Sequence, residues 1–308
     1  MNTWRDLLPS DQQKVSRQHH KMFWYWITER QKIWHRRFVE KVPPPWTKDP
    51  ILRDRKFCNV YRSLDLETQW VLQNIAPIDD TKWRWFAALV FRLFNRGVTF
   101  DEIGIPDPYG WVNTLERRLR KIKKRGENPF TNAYLVHSGG AEMAAQSIDR
   151  IGNYVRAVKF VRSRLDWFRQ IDDGYAHEQH EDLMTIPSVG PFIAYQIWQD
   201  LCLCRLLPED PDFVVPGPGS LLGLRLLFPS WRTRDVEPAR LMLDLRDQQF
   251  KKLPAKFPYW KGRLLSVADV QNALCETAKY WKATLGVGKQ RHHFIPRSPN
   301  TMYDGVLP

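Results

Sequence analysis

The sequence has few cysteines, and their spacing excludes the common structural zinc motifs. Cys58, Cys202, Cys204 and Cys275 form no CxxC pair. Sparse cysteines of this kind are typical of free thiols in a reducing compartment, and Cys58 and Cys275 are interpreted as small buried apolar residues. The stretch His177–Glu181 contains two histidines three residues apart, which are more often solvated than metal-bound. We therefore expect neither a metal ion nor a cofactor.

Long apolar runs and nucleotide-binding motifs are also missing. No stretch approaches the roughly 20 apolar residues of a membrane-spanning helix, and Met1–Asp6 lacks the apolar segment of a signal peptide. We expect a cytosolic protein with no membrane partner. The sequence contains no GxxxxGK[ST] motif, so these residues are not expected to form the catalytic core of a P-loop kinase.

Positive charge and aromatic side chains are abundant instead. Lys and Arg number 47 against 34 Asp and Glu, which gives a net charge of +13, and there are 14 Trp. A charge excess of this size favours a polyanionic partner such as DNA, although a basic surface without a ligand is the plain alternative. The apolar fraction of 43% excludes wholesale disorder.

Apolar residues recur at intervals of three and four, and this spacing predicts an all-α fold. We expect residues 1–288 to form a single large helical domain, with N-terminal and C-terminal helical halves around a cleft. Residues 289–308 are expected to form an irregular basic tail. Thr47 and Asp49 are candidate helix caps. Helices are predicted near 11–40, 64–75, 80–96, 111–125, 141–152, 154–171, 191–207, 220–228, 237–250 and 267–284.

The stretch Leu183–Ala194 predicts a helix end, a tight turn and a new helix. Pro191 suits the first helical position, and Gly190 is expected to supply backbone angles that other residues resist. Amides at a helix start can hold a phosphate oxygen, so Ser188, Val189 and Gly190 are candidate DNA-binding residues. The pattern is similar to the helix-hairpin-helix of base-excision DNA glycosylases, although an ordinary helical hairpin fits equally well.

The catalytic groups of those glycosylases are missing from their expected places. Gly217-Pro218-Gly219 stands where the family carries an Asp, and Pro191-Phe192 stands where the bifunctional members carry a Lys. Cleavage of an N-glycosidic bond requires charge stabilisation or a nucleophile at the sugar, so we expect no base excision. A Gly-Pro-Gly turn allows the backbone to approach a ligand closely, which makes Gly217 and Gly219 candidate phosphate-binding residues; a plain loop is the alternative.

The basic run Arg117–Arg125 lies in the predicted helix 111–125. Charge surrounds nearly the whole circumference of this helix, so we expect that it is not a core helix. A solvated face and a face that contacts phosphate are equally compatible with the run.

Several longer segments resemble a known family. They are Trp24–Arg30, Pro45–Leu52, Lys56–Arg62 with Asp65, Gly262–Leu264 and Asp269–Tyr280. With Gly217-Pro218-Gly219, these segments resemble the alpha-glutamyl/putrescinyl thymine pyrophosphorylases, which are related to the helical domain of the 5-hydroxymethyluracil DNA kinases. The resemblance extends from about Trp24 to Trp281, with one departure at Thr277-Ala278, where an acidic residue and an aromatic are expected.

The resemblance implies a phage-type enzyme of DNA hypermodification, with a helix-hairpin-helix glycosylase-like fold. In those systems 5-hydroxymethyluracil in DNA is phosphorylated, and a family member replaces the phosphate or pyrophosphate with an amine from an amino acid or polyamine. The expected partners are DNA containing modified thymine, the amine and a 5-hydroxymethyluracil DNA kinase, in the cytoplasm of a phage-infected bacterium. Two alternatives stay open, a DNA glycosylase with an unrecognised acid and a non-catalytic DNA-binding module that serves a separate kinase.

This chemistry selects the candidate site residues. The base must leave the duplex, the leaving phosphate requires cations and amides, and the attacking amine must be neutral, which favours a carboxylate base. Helix caps and ordinary ion pairs are the plain alternatives for each residue. The candidate bases are Glu29, Asp49, Asp65, Asp269 and Glu276. The candidate phosphate- or substrate-binding residues, besides the two glycines, are Arg30, Asn59, Arg62, Arg263, Lys279 and Tyr280.

Overall fold

The computed structural model describes residues 10–131, 149–171, 174–231, 236–287 and 294. The regular elements in these ranges are helices, which confirms the all-α class. Two short 3-10 turns cover Arg62–Leu64 and Trp260–Gly262. The helices are α1 (Ser10–Phe38), α2 (Pro50–Asp54), α3 (Leu66–Asn74), α4 (Thr81–Phe94), α5 (Gly97–Ile103), α6 (Trp111–Lys124), α7 (Arg150–Ser163), α8 (Leu165–Phe168), α9 (Ala176–Leu183), α10 (Pro191–Leu203), α11 (Pro218–Leu227), α12 (Pro238–Asp247), α13 (Gln249–Lys252) and α14 (Val267–Thr284).

Most helices begin and end within a few residues of their predicted bounds, and α14 matches its prediction at both ends. The predicted helix 141–152 falls mostly outside the described residues. Helix α7 begins at Arg150, because the Asp149 side chain accepts a hydrogen bond from the Gly152 amide and caps it. The basic tail is described only at Phe294, whose amide donates to the Asp54 carbonyl at 3.0 Å.

The described chain groups into two compact units. The first joins Met1–Asp65 with Pro211–Pro308, and the second covers Leu66–Asp210. The prediction of a single domain with a central cleft concerns the two units together, and it stays a prediction. The resembled segments around Glu29, Asp49, Asp65 and Asp269 lie in the first unit, and the helical hairpin lies in the second.

In the first unit, α11 packs closely along α14, and two glycines permit the approach. A Cβ at Gly223 would lie 2.4 Å from the Leu274 carbonyl oxygen, and one at Gly219 would lie 2.3 Å from Cys275 Sγ. Helix α1 packs on both helices, and its Phe23, Trp26 and Ile27 are fully buried. The backbones of α11 and α14 therefore lie closer together than side chains would allow.

The second unit is built around α4, which is buried from Trp85 to Phe94. It packs against α7 and α10. Arg92 of α4 is buried and paired with Asp200 of α10, with Nε 2.5 Å from Oδ2 and Nη2 2.7 Å from Oδ1. Two hydrogen bonds to the carboxylate compensate for the cost of burying both charges.

Helix α6 corrects one expectation. Charge does not surround nearly the whole circumference, because an apolar stripe runs along one side. Leu115, Leu119 and Ile122 are buried together with Trp111 and Val112. The spacing of three and four residues places this stripe on one face, while the charged residues occupy the remainder.

The close packing of α11 on α14 generates the first prediction. Alanine is a better helix former than glycine by about 1 kcal/mol, so Gly223→Ala would stabilise the protein if space allowed. We expect instead a loss of about 1–3 kcal/mol in the free energy of unfolding, because the obstacle is backbone. Urea unfolding measures this quantity.

Gly219→Ala provides the comparison, because its obstacle is a side chain. We expect Gly219→Ala to be destabilising and the double variant with Cys275→Ala to recover most of the loss. A Gly223→Ala variant as stable as the wild type would contradict the packing argument.

Candidate functional site

The helical hairpin forms as predicted, but its glycine is not the strained residue. Helix α9 ends at Leu183 and α10 begins at Pro191. Ser188 has φ +69°, in the left-handed region. Gly190 has φ −93° and ψ 178°, an extended conformation that any residue adopts. The expectation that Gly190 supplies unusual angles is therefore wrong, because the chain reverses at Ser188.

The geometry of the turn narrows its phosphate-binding capacity. Val189 is buried, and its amide donates to the Ile186 carbonyl at 3.0 Å, so that amide is already used. A Cβ at Gly190 would have no neighbour within 4 Å, so stability does not require glycine there. DNA binding by Ser188, Val189 and Gly190 stays a prediction.

The Gly-Pro-Gly tract is a helix start. Gly217 is the N-cap of α11 and Pro218 is its first residue. The Gly217 carbonyl accepts hydrogen bonds from Ser220 Oγ at 2.9 Å and from the Leu221 amide at 3.0 Å. Gly219 faces Cys275, so packing explains this glycine. Phosphate binding by Gly217 and Gly219 also stays a prediction.

Residues 55–65, which we term the site loop, are held by one face of α14. Side chains at positions 269, 272 and 276 lie on that face because they follow a helical spacing. All three contact the backbone of the site loop. Asp269 Oδ1 accepts from the Arg62 amide at 2.7 Å, Asn272 Nδ2 donates to the Asn59 carbonyl at 3.0 Å, and Glu276 Oε2 accepts from the Cys58 amide at 3.2 Å.

Arg30 of α1 completes the support of the site loop. Its Nε donates to the Cys58 carbonyl at 3.0 Å and its Nη2 to Asn59 Oδ1 at 2.7 Å. The backbone amide of Asn59 donates to Asp65 Oδ1 at 2.7 Å. Burial lowers the pKa of Arg30, against the attraction of Asp65 and Glu276. Arg30, Asn59, Asp65 and Glu276 are thus gathered around one short loop.

Lys279 connects this cluster to solvent. Its Nζ lies 2.5 Å from Glu276 Oε1, and its side chain is 57% exposed whereas that of Glu276 is 2% exposed. Burial lowers the pKa of Lys279, but attraction to Glu276 outweighs it, and the net pKa is raised. The predicted ion pair between Glu276 and Lys279 is present, and it places a cation at the edge of the site loop.

Asp65 titrates near neutral pH. Burial raises the pKa of Asp65 to about 7, although the Asn59 amide, Arg62 and Arg30 favour the charged form. The nearby Glu276 raises it further. A carboxylic acid with this pKa exchanges a proton at working pH, which suits a general base.

Asp269 is engaged in structural contacts through both oxygens. Oδ1 accepts from the Arg62 amide, and Oδ2 accepts from the Ser266 amide at 3.0 Å and from its hydroxyl at 2.8 Å. Ser266, and not Asp269, is the N-cap of α14, and the two residues form a capping box. Burial raises the pKa of Asp269.

Asp49 lies in a second group of contacts. Its Oδ1 caps α2 by accepting from the Ile51 and Leu52 amides, as the sequence predicts. Its Oδ2 accepts from the Tyr25 hydroxyl at 2.9 Å and from the Tyr280 hydroxyl at 2.7 Å. Burial and the bond to Asp49 raise the pKa of both tyrosines. Asp49 and Tyr280 therefore join α2 to α14.

Glu29 and Arg263 have other surroundings. Glu29 Oε1 accepts from the Thr47 hydroxyl at 2.8 Å and lies 3.5 Å from Arg36 Nη1. The Arg263 guanidinium lies 5.2 Å from the centroid of the Trp260 ring. Among the described residues, neither side chain makes a hydrogen bond to the site loop.

The thiols of Cys58 and Cys275 are free and half-buried, so the expectation of burial is met in part. Burial raises the pKa of both, which keeps the thiols neutral and weakly nucleophilic. His180 Nε2 contacts the Pro191 carbonyl at 2.8 Å. In the described ranges, no group of three His, Cys, Asp or Glu is arranged for a metal, and no helix is long and apolar enough to cross a membrane.

Sequence reasoning missed two residues of the site. Asn272 donates a hydrogen bond to the Asn59 carbonyl, and Tyr25 donates one to the Asp49 carboxylate. A signal for Asn272 was available, since it lies three residues after Asp269 and four before Glu276 on the same helical face. Tyr25 has no comparable local signal, because its partner lies 24 positions away.

Comparison with known proteins identifies a family and a curated relative. Residues 17–289 match the family model described as "5-hmdU DNA kinase, helical domain". A 5-hmdU DNA kinase of Bacillus phage SP10 is 26% identical over 282 residues, which cover 84% of this chain and 44% of that protein. The chain therefore spans less than half the length of this relative. No solved structure matches the chain.

The pKa of Asp65 generates a prediction about stability. Its folded pKa of about 7 lies above the ordinary value of 3.8, so the folded state holds the proton more tightly than the unfolded state. The stabilisation from this proton is complete below about pH 4 and is lost as pH rises through 7. Asp65→Asn keeps the oxygen acceptor but cannot ionise. As pH rises from 5 to 8, we expect the free energy of unfolding of Asp65→Asn to increase relative to that of the wild type.

Urea unfolding at the two pH values measures this difference, with Asp247→Asn as the control because Asp247 is an exposed carboxylate whose side chain is 66% accessible. A stability difference between Asp65→Asn and wild type that does not change with pH would show that Asp65 titrates normally.

Proposed function

The chain belongs to the family of 5-hmdU DNA kinase helical domains, and from this premise we propose that it modifies 5-hydroxymethyluracil in DNA. The specific reaction we propose is replacement of the phosphate on a phosphorylated 5-hydroxymethyluracil by an amine from an amino acid or polyamine. The resemblance to the alpha-glutamyl/putrescinyl thymine pyrophosphorylases supports this reaction over phosphorylation. The sequence also contains no P-loop motif.

The observation that carries the proposal is the mixed charge of the site-loop cluster. Arg30 and Lys279 contribute cations, and Asp65 and Glu276 contribute carboxylates, around one loop. A substitution at the methylene carbon requires both kinds of group, because an anion leaves while a proton is removed from the amine. A site that only bound DNA phosphates would need the cations alone.

The groups divide the reaction between them. The amine nitrogen forms a bond to the methylene carbon, and the bond from that carbon to the phosphate oxygen breaks, with the electron pair leaving on the phosphate. Lys279 and Arg30 bind the departing phosphate. Asp65 accepts the proton that the nitrogen loses, and its pKa of about 7 matches that role. Glu276, Asn59, Asp49 and Tyr280 hold the loop and helices in place.

A second candidate function is a non-catalytic DNA-binding module that works with a 5-hydroxymethyluracil DNA kinase. The observation in its favour is the length of the match. The chain aligns with only 44% of a relative named as a DNA kinase, as a module of that relative would. In that case the carboxylates of the cluster would be structural. Both functions place the protein with modified DNA in the cytoplasm of a phage-infected bacterium.

Nucleoside mass spectrometry tests the proposed reaction. DNA carrying phosphomethyluracil is incubated with the protein and a pool of amines, then digested. We expect thymine bearing an amine at its 5-methylene. Asp65→Asn should lower the rate on the order of 100-fold, since a general base contributes about that much.

The exposed Asp247→Asn is the matched control and should react at the wild-type rate. Absence of amine adducts together with retained DNA binding would favour the non-catalytic module. A wild-type rate in Asp65→Asn would remove Asp65 from the reaction.

We also expect no base excision. The position of the glycosylase Asp is occupied by a helix start at Gly217, and Asp212 nearby in sequence is exposed and paired with Arg246 at 2.5 Å. Without an Asp at that position, we expect no group there that stabilises a sugar cation. Alkali treatment of the reacted DNA tests this. Strand breaks at modified thymines would reveal abasic sites and would favour a glycosylase.

A further inference from the structure

We propose that the outward face of α6 binds the sugar–phosphate backbone of DNA, outside both the site loop and the hairpin. This inference rests on the proposed function, which makes DNA the substrate. It adds the location at which the duplex is held and the residues that hold it. These residues are Arg117, Lys121 and Lys124, which we term the α6 row.

The first observation is the concentration of charge. Residues 111–125 contain seven Lys or Arg and one Glu, a net charge of +6. The whole chain of 308 residues has a net charge of +13. A segment of 15 residues therefore accounts for almost half of the excess, which is the distribution expected of a surface for a polyanion.

The second observation is the direction of the α6 row. Its residues are separated by four and three positions, so they lie on one helical face. All three are exposed. The buried stripe of Leu115, Leu119 and Ile122 lies on the opposite face. The row therefore points away from the core of the second unit.

The third observation is that other basic residues of this segment have partners within the protein. Arg120 pairs with Glu116 and Asp149, and Arg125 pairs with Glu102 and Glu127. Arg118 donates to the Ile103 carbonyl. These three arginines therefore make contacts within the fold. In the described part of the chain, no carboxylate lies within 4.0 Å of a cation of the α6 row.

The dimensions of the row suit a DNA backbone. The seven residue steps from Arg117 to Lys124, at a rise of 1.5 Å each, give a length of about 10 Å. One DNA strand carries a phosphate about every 3.4 Å along its axis. Three cations on one face repel one another, and neighbouring phosphates would relieve that repulsion. An acidic protein surface could do the same, and DNA is favoured because the family is one of DNA-modifying proteins.

A pair of charge-matched variants tests the α6 row. The α6 variant is the triple variant Arg117→Glu, Lys121→Glu, Lys124→Glu. The control is Lys251→Glu, Lys252→Glu, Lys256→Glu, which replaces exposed lysines of the first unit and changes the net charge by the same amount. Binding to a duplex of unmodified DNA is measured across a salt series. We expect the α6 variant to lose at least 100-fold in affinity at low salt and the control less than tenfold.

The salt dependence separates direct contacts from a general change of charge. Each phosphate contact contributes about 0.9 to the slope of log affinity against log salt. We expect that slope to fall by about 3 in the α6 variant and by less than 1 in the control. The milder Arg117→Gln, Lys121→Gln, Lys124→Gln variant gives the same test should the charge reversal fail to fold.

Equal losses in the α6 variant and the control would overturn the inference and leave the proposed function standing. Wild-type protein that binds an acidic peptide and no DNA would overturn both. Amine transfer at a saturating concentration of modified DNA is a separate readout, because the residues of the site-loop cluster are unchanged in the α6 variant.

Discussion

The candidate site depends on the polar face of α14, which holds the backbone of the site loop. Asp269, Asn272 and Glu276 contact backbone groups, so they fix the path of the loop whatever its side chains are. Glu276 is almost fully buried, and both of its oxygens are engaged, by the Cys58 amide and by Lys279. Loss of either partner would leave a buried carboxylate unsatisfied, which is costly. The position of α14 depends in turn on its close contact with α11 at Gly223.

Much of the fold could be predicted from the sequence because helix signals are local. The bounds of α14, the Asp49 cap and the start of α10 at Pro191 all follow from residues a few positions apart. The errors concern properties that neighbours in space decide. Gly219 is required by Cys275, which lies 56 positions along the chain, and the left-handed turn falls on Ser188 and not on Gly190. The charges of α6 do not surround the helix as expected, because an apolar stripe on one face packs against the core.

The candidate site was predictable as a set of residues but not as an arrangement. The sequence offers five carboxylates as equal candidates for the general base, and the fold places them in different surroundings. Asp49 and Asp269 are used by amides and hydroxyls, Glu29 is engaged with Thr47, and Asp65 and Glu276 share the site loop. The bond from the Cys58 amide to Glu276 joins residues 218 positions apart, which no local pattern specifies. The near-neutral pKa of Asp65 likewise arises from burial, which is a property of the folded chain.

Residue-resolved amide hydrogen exchange tests most directly whether α14 preforms the site. The account predicts slow exchange at Cys58, Asn59 and Arg62 in the wild-type protein, because each amide donates to a carboxylate. Asp269→Ala should accelerate exchange at Arg62 well before it affects Asn59, whose acceptor is Asp65. Exchange at all three amides at the rate of an unstructured peptide would contradict the account, since the site loop would then not be held by α14.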